Sequence, residues 1–352
     1  MTAARQSSFV QNLPKIELHA HLNGSIRRST LIDLASAHHV DNASSAFILK
    51  RWPRTLSEAF DVFRVIHSCV VTLADVERLA YEVAQDLEGD GVVYAEIRTT
   101  PRAMEGEGGL EEYVGAVFGG FERYAAEGGA VVLRVLLSFD RGKHTAADAE
   151  RIIDLALAHR QRGVVGIDLS GDPTKGDWST FLPALKRARS LGLKITLHAG
   201  EVTDRDSEMS QMLDFHPDRF GHCCFVSSSN MLRLKASNIP IELCLTSNLL
   251  SNSVAALENH HFGLHYSPTE GATICCISTD DSGVFGSPLS NEYRLVMDGF
   301  GLDERQTFEL AKRTLRATFL EKRGETEESK DGKDWQSIQD KFDAFEKSWS
   351  WN

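Results

Sequence analysis

The sequence predicts an α/β fold, a (β/α)8 TIM barrel with additional peripheral helices. Three observations predict it. Eight short apolar segments recur along the chain, most of them rich in β-branched residues. Stretches with apolar residues at three- and four-residue steps separate most of these segments, which is the period of an amphipathic helix. Histidines and carboxylates gather at the C-terminal ends of several segments, the end at which a barrel of this kind carries its functional groups.

In chain order the strands are expected at 16–22, 92–97, 131–139, 164–169, 195–197, 220–225, 239–245 and 273–277. Helices are expected at 56–67, 75–87, 110–124, 147–158, 181–188 and 302–320. Thr55 followed by Glu58 reads as a capping box for the helix over 56–67. Gly192 reads as the stop between the helix begun at Phe181 and the next strand. Alternating strands and helices call for a parallel sheet covered on both faces. Eight strands favour closure over an open sheet. The barrel core is expected over about 13–320. A polar, solvated linker follows at 321–334, then a helix over 335–349 packed outside the main domain. The whole chain, 1–352, reads as one catalytic domain.

Composition narrows the function. The chain has 352 residues, 38 Lys plus Arg against 50 Asp plus Glu, and a formal charge of −12. Its hydrophobic fraction is 42%, ordinary for a globular protein and too high for general disorder. The acidic balance argues against nucleic acid and anionic membranes as partners, because both reward a basic face. No apolar run is long enough to span a bilayer, and residues 1–13 lack the pattern of a signal peptide. Of the six cysteines, two adjacent pairs, Cys223–Cys224 and Cys275–Cys276, sit inside apolar runs. Neighbours in a strand face opposite ways, so neither pair reads as a metal clip. Buried thiols in a reducing, cytoplasmic setting are expected.

The polar residues at strand ends carry the functional reading. His19 and His21 are two apart in the first strand and share one face. The fifth strand leads into His198 and Glu201, the sixth contains His222, and the eighth leads into Asp280 and Asp281. Taken singly, each has an ordinary explanation as a hydrogen-bonded core histidine, a loop carboxylate or a turn cap. Taken together, His19, His21, His198 and Asp280 suit one divalent cation with room for water. Zinc is the default for so nitrogen-rich a set, and residue type leaves iron, cobalt and manganese open. Such an ion brings water to acidity near neutral pH. Glu201, three residues past His198, is within reach of that water.

These residues lie in the motifs LPKIELHAHLNGS, DLSGDP, LHAGE, RFGHCCF, LTSN and STDD. In that order the set resembles the adenosine/AMP deaminase family of metal-dependent barrel hydrolases, over Leu13 to about Phe319. The HLNGS form, the HHFG segment and STDDSGVFG resemble most the adenosine-deaminase-like branch, which acts on N6-methyl-AMP. The resemblance implies hydrolysis at purine C6 of a 5′-monophosphate, N6-methyl-AMP and water giving IMP and methylamine. It assigns His19, His21, His198 and Asp280 to one Zn2+, and Glu201 to the proton at purine N1. It assigns His222 and Asp281 to the attacking oxygen and the leaving group, and Gly171 to a backbone contact with purine N3. Cys223 departs from the family, which usually has glycine there. It either tightens the pocket or faces the barrel wall.

Asn23 stands where adenosine deaminases have an aspartate near the ribose 5′-hydroxyl, and it removes a charge that would repel phosphate. Ser25, Thr99 and Thr100 are candidate donors to the nucleotide. His67 and Arg102 are candidate phosphate contacts, and Lys175 is a weaker one. Phe60 and Phe63 are candidate apolar walls beside the N6 substituent. Nucleoside deamination and another mononuclear barrel amidohydrolase are the alternatives. A dinuclear centre is disfavoured, because the fourth strand offers no lysine before Lys175. The expected partner is a small purine nucleotide, and the expected state is a monomer. The segment 247–273 is expected to lie over the barrel mouth.

Overall fold

A computed structural model describes residues 2–40, 56–104, 106–269, 272–320 and 330–351. Eight parallel strands pair in chain order. They are β1 Lys15–His21, β2 Val92–Thr99, β3 Val132–Asp140 and β4 Val164–Ser170. They continue as β5 Lys194–Ala199, β6 Arg219–His222, β7 Ile241–Leu243 and β8 Cys275–Ile277. The ring shuts just beyond β8, where Ala20 and Asp280 form a parallel bridge. There His21 N–H donates to the Asp280 carbonyl at 2.8 Å and Asp280 N–H to the His19 carbonyl at 2.7 Å. The seam is therefore made by residues that also carry site side chains.

All eight expected strands form, and the differences at their ends have local causes. The run 220–225 stops being strand at His222, because His222 and Cys223 take φ of 62° and 58°. The run 239–245 holds a three-residue strand and then the start of the helix Leu245–Leu250. An apolar run does not by itself separate the two. Helices form at Leu56–Cys69, Leu73–Gly89, Leu110–Ala126, Ala146–Ala158 and Leu182–Ser190. Reciprocal Thr72–Asp75 and Thr145–Asp148 caps start the second and fourth of these. Thr55, and with it the expected cap, lies outside the described residues. The helix expected over 302–320 is shorter, Glu304–Arg313, and runs into a 3-10 turn, Thr314–Ala317.

The C-terminal helix begins earlier than expected, at Lys330, so 330–334 are helical and not linker. The reason is electrostatic. Asp331 and Asp334 in its first turns both pair with the buried Arg134 guanidinium, at 2.7 and 2.5 Å. Downstream, Ile338, Phe342 and Phe345 are buried outside the barrel. Phe345 stacks on Phe308 at 5.8 Å, and Trp349 meets Phe9 of the N-terminal helix Ala3–Asn12 at 5.4 Å. The six cysteines are free thiols. Among the described residues, no helix is long and apolar enough to cross a membrane.

Candidate active site

The C-terminal ends of β1, β5 and β6 and the turn after β8 converge on one cluster of ligand atoms. His19, His21 and Asp280 offer atoms within 4.8 Å of one another, as do His19, His198 and His222. The His21 and His198 Nε2 atoms are 3.2 Å apart. His21 and His19 Nε2 lie 3.4 and 3.6 Å from Asp280 Oδ1.

The far sides of two of the rings, His19 and His198, explain why their Nε2 atoms face the centre. His19 Nδ1 lies 2.6 Å from a Glu242 carboxylate oxygen, and His198 Nδ1 lies 2.9 Å from Asp168. A carboxylate only accepts, so it fixes the ring proton on Nδ1 and leaves the Nε2 lone pair free. His19 Nε2 is buried with no hydrogen-bond partner. Ser247 Oγ donates to Asp280 Oδ2 at 2.6 Å, which turns Oδ1 toward the histidines. Bare imidazole nitrogens and one carboxylate oxygen around a common point suit a divalent metal such as Zn2+. Gly221 makes room for this packing, since a Cβ there would lie 2.8 Å from His19 Cε1.

Beneath the cluster the barrel interior is charged. Glu242 accepts from Arg98 Nη2 at 2.7 Å, Arg219 Nε at 2.5 Å and Thr196 Oγ1 at 3.0 Å. Arg98 reaches Asp168 at 3.2 Å, and Arg219 reaches Glu96 at 2.6 Å. Glu17 ties β1 to the end of β8 by accepting from Thr279 N–H and Oγ1. Sequence reasoning missed all of these residues. They had a signal: Glu17, Glu96, Asp168 and Thr196 each sit two residues before a strand-end polar residue and so share its inward face.

A cavity of about 450 Å³ opens on the cluster. Its lining includes His21, Asn23, His67, Thr99, Thr100, Arg102, Gly171, His198, Glu201, His222, Asp280 and Asp281. His19 lies just behind it, fully buried. Glu201 Oε1 is 3.7 Å from His222 Nε2. Burial pushes the Glu201 carboxyl up to about 7. Burial, reinforced by the Asp280 charge, holds Asp281 well above the usual carboxylate range. Asp281 Oδ1 has no hydrogen-bond partner. Gly171 has φ of 95°, and a Cβ there would meet Asp140 Oδ1 at 2.4 Å.

The remaining expected residues divide. Asn23 Nδ2 donates to Tyr113 Oη at 3.2 Å, and Tyr113 shares a 2.8 Å hydrogen bond with Thr99. Ser25 does not line the cavity, because its hydroxyl donates to the His21 carbonyl at 2.8 Å. Arg102 lies at the rim with Nη2 on the Val70 carbonyl and Nε without a partner. Burial, with help from Arg102, pushes His67 down to about 4, so it is neutral. Lys175 pairs with Asp172 at 3.2 Å away from the cavity. Lys143 and His144, from the loop after β3, line the cavity and were not expected. Phe63 and Phe285 supply apolar wall, while the side chain of Phe60 lies outside the described residues. Cys223 is fully buried and does not line the cavity. Its positive φ explains why glycine suits that position. Ser247 and Ser251 line the cavity, whereas His260, His261 and Phe262 of the same segment are buried away from it.

Comparison with known proteins gives the family. The adenosine deaminase family pattern matches residues 14–330. The chain is 41% identical over 339 residues to an N6-mAMP deaminase of Arabidopsis thaliana, covering 89% of this chain and 94% of that one. It is 37% identical over 326 residues to an N6-methyl-AMP deaminase of Bos taurus, covering 89% and 92%. The crystal structure of Arabidopsis ADAL complexed with IMP superposes with a TM-score of 0.87 at 39% identity, over 96% of this chain and 98% of that one. With the barrel, the ligand cluster and these matches, the chain belongs to the adenosine deaminase family.

Proposed function

We propose that this chain is a zinc-dependent aminohydrolase that converts N6-methyl-AMP and water to IMP and methylamine. The observation that carries the reading is the pair of carboxylate-backed imidazoles, His19 and His198, whose bare Nε2 atoms meet His21 and Asp280 at the buried end of the cavity. The names of the relatives support the nucleotide and its N6-methyl group.

In this reading His19, His21, His198 and Asp280 hold one Zn2+, which when bound supplies water made acidic near neutral pH. Glu201, held partly protonated by burial, donates to purine N1 and makes C6 electrophilic. His222 and Asp281, which line the same cavity, orient the attacking water. Asp281 takes the proton that the attacking water gives up and passes it to N6 as the tetrahedral carbon collapses, the C6 hydroxyl proton returns to Glu201, and methylamine leaves neutral. Gly171 brings backbone close to the purine, and Phe63 and Phe285 offer apolar surface. Asn23, Thr99, Thr100, His67, Arg102, Lys143 and His144 surround the phosphate end; Ser25 supports the β1 end from behind. The reading takes the whole chain as one domain, acting as a cytoplasmic monomer on a small nucleotide and not on nucleic acid.

Phosphate preference tests it. The kcat/KM for N6-methyl-AMP is expected to exceed that for N6-methyladenosine. Asn23→Asp is expected to narrow that ratio by roughly tenfold or more, the effect of about 1.4 kcal/mol of added repulsion. An aspartate cannot give the Nδ2–H that Tyr113 Oη accepts, but the Tyr113 hydroxyl can turn and donate to the carboxylate instead while it accepts from Thr99, so the fold survives. Equal kcat/KM on both substrates, unmoved by Asn23→Asp, contradicts the nucleotide reading and favours a nucleoside deaminase.

A further inference from the structure

The histidine pair of the HHFG segment is buried, lies outside the cavity, and takes no part in the chemistry above. Both of its rings nevertheless lead to His222. The backbone N–H of Phe262 donates to His260 Nδ1 at 3.0 Å. An amide N–H can only donate, so His260 carries its own proton on Nε2. Burial, with His261 and His265 nearby, keeps that ring neutral and its pKa down at about 2. His260 Nε2 lies 3.1 Å from Asn248 Oδ1, which must therefore accept. The amide of Asn248 is fixed in one orientation, with its Nδ2 donating to His222 Nδ1 at 3.3 Å. His261 Nε2 lies 2.7 Å from the His222 carbonyl and donates to it. His222 has φ of 62°, a conformation that is strained for a non-glycine residue and persists only when neighbours hold it.

We propose that Asn248, His260 and His261 are positioning residues that hold His222 as its Nε2–H tautomer, so that it meets the reacting centre as a hydrogen-bond donor and not as a base. Asn248 and His260 set the ring proton, and His261 sets the backbone that aims the ring. The Nε2–H then faces Glu201 Oε1, 3.7 Å away, and the ligand cluster beyond it. The inference rests on the reading of His222 as a group at the reacting centre. It adds that His222 takes no proton from water, which leaves that task to the carboxylates.

Asn248→Asp is the sharpest perturbation. The two side chains have the same shape, but a carboxylate only accepts, so it draws the His222 proton to Nδ1 and leaves Nε2 bare. The tautomer is read by imidazole 15N NMR of the metal-loaded protein labelled at histidine. The His222 signals are assigned by their loss in His222→Gln. The expected result is Nε2 protonated and Nδ1 bare in the unmodified chain, and the reverse in Asn248→Asp. The kcat of Asn248→Asp is expected to fall by about 10²–10⁴-fold, with KM changed by less than about twofold. His260→Gln keeps a donor toward Asn248 and is expected to retain most of kcat, whereas His260→Phe is expected to approach Asn248→Asp. Nδ1 protonation of His222 in the unmodified chain overturns the proposal. So does Asn248→Asp with tautomer and kcat unmoved, and equal loss in His260→Gln and His260→Phe removes His260 from it. The NMR signature requires no substrate, so its failure is distinct from failure of the substrate assignment.

Discussion

Glu201→Gln is expected to lower kcat on N6-methyl-AMP by about 10²–10⁴-fold while the chain keeps its fold and its zinc. The amide has the shape of the carboxylic acid but no proton to give to purine N1. Glu201 is separate from the atoms that face the cluster centre, so its replacement leaves His19, His21, His198 and Asp280 as they are. Turnover and zinc content measured on the same preparation check this. Normal turnover with full zinc contradicts the role of Glu201, and loss of zinc together with folding shows that the side chain acts structurally.

The second large effect is expected deep in the barrel. Glu242 is fully buried and accepts from His19, Arg98, Arg219 and Thr196. Glu242→Gln leaves two buried guanidinium groups short of a negative partner and sets an NH2 group against donors. Breaking one partner of a buried charge network costs about 3–5 kcal/mol, and urea unfolding of the metal-free protein measures it. Zinc affinity is expected to fall by about 10–100-fold, because the His19 ring loses the group that orients it. The pH dependence is a further check. Burial alone would raise the Glu242 pKa, but Arg98 and Arg219 outweigh it and hold it well below the usual carboxylate range. A carboxylate held low in the fold stabilises it at any pH above the unfolded value, about 4.3. That contribution is lost only as pH falls through the lower folded value. The Glu242 charge itself therefore adds no pH dependence above about pH 5. Burial and Arg98 are outweighed at His19 by Asp280 and Glu242, which bring it up to about 9, so the stability difference between the metal-free proteins is expected to shrink as pH rises above about 6.5.

The parts of this protein that sequence makes legible are those with a local signal. His19 and His21 are two apart in an apolar run, His222 lies inside another, and His198, Asp280 and Asp281 sit where such runs end, so a shared centre follows from strand geometry. The eight strands are legible for the same reason. Arg98, Asp168 and Glu242 were missed because apolar runs were read as purely apolar. Their inward parity is visible in the sequence, but the long-range pairing that satisfies them is not. Tyr113 reaches Asn23 and Thr99 from a helix, and Asn248 reaches His222 from the short helix after β7. Contacts of this kind depend on how elements pack and leave no mark in spacing. Asp331 and Asp334 looked like part of a solvated linker because the cation that orders them, Arg134, is about 200 residues away.

The N6 substituent remains the closest probe of the whole account. The chemistry at C6 is nearly indifferent to one methyl group, since either amine can leave once protonated. A methyl buried against apolar wall such as Phe63 or Phe285 contributes roughly 1 kcal/mol, or about fivefold to tenfold in kcat/KM. The decisive measurement compares kcat/KM for N6-methyl-AMP and AMP on zinc-loaded protein, with IMP and released amine followed together. The account predicts equal amounts of IMP and methylamine from the methylated nucleotide, and a lower kcat/KM for AMP with ammonia released. A kcat/KM for AMP equal to or above that for N6-methyl-AMP contradicts it.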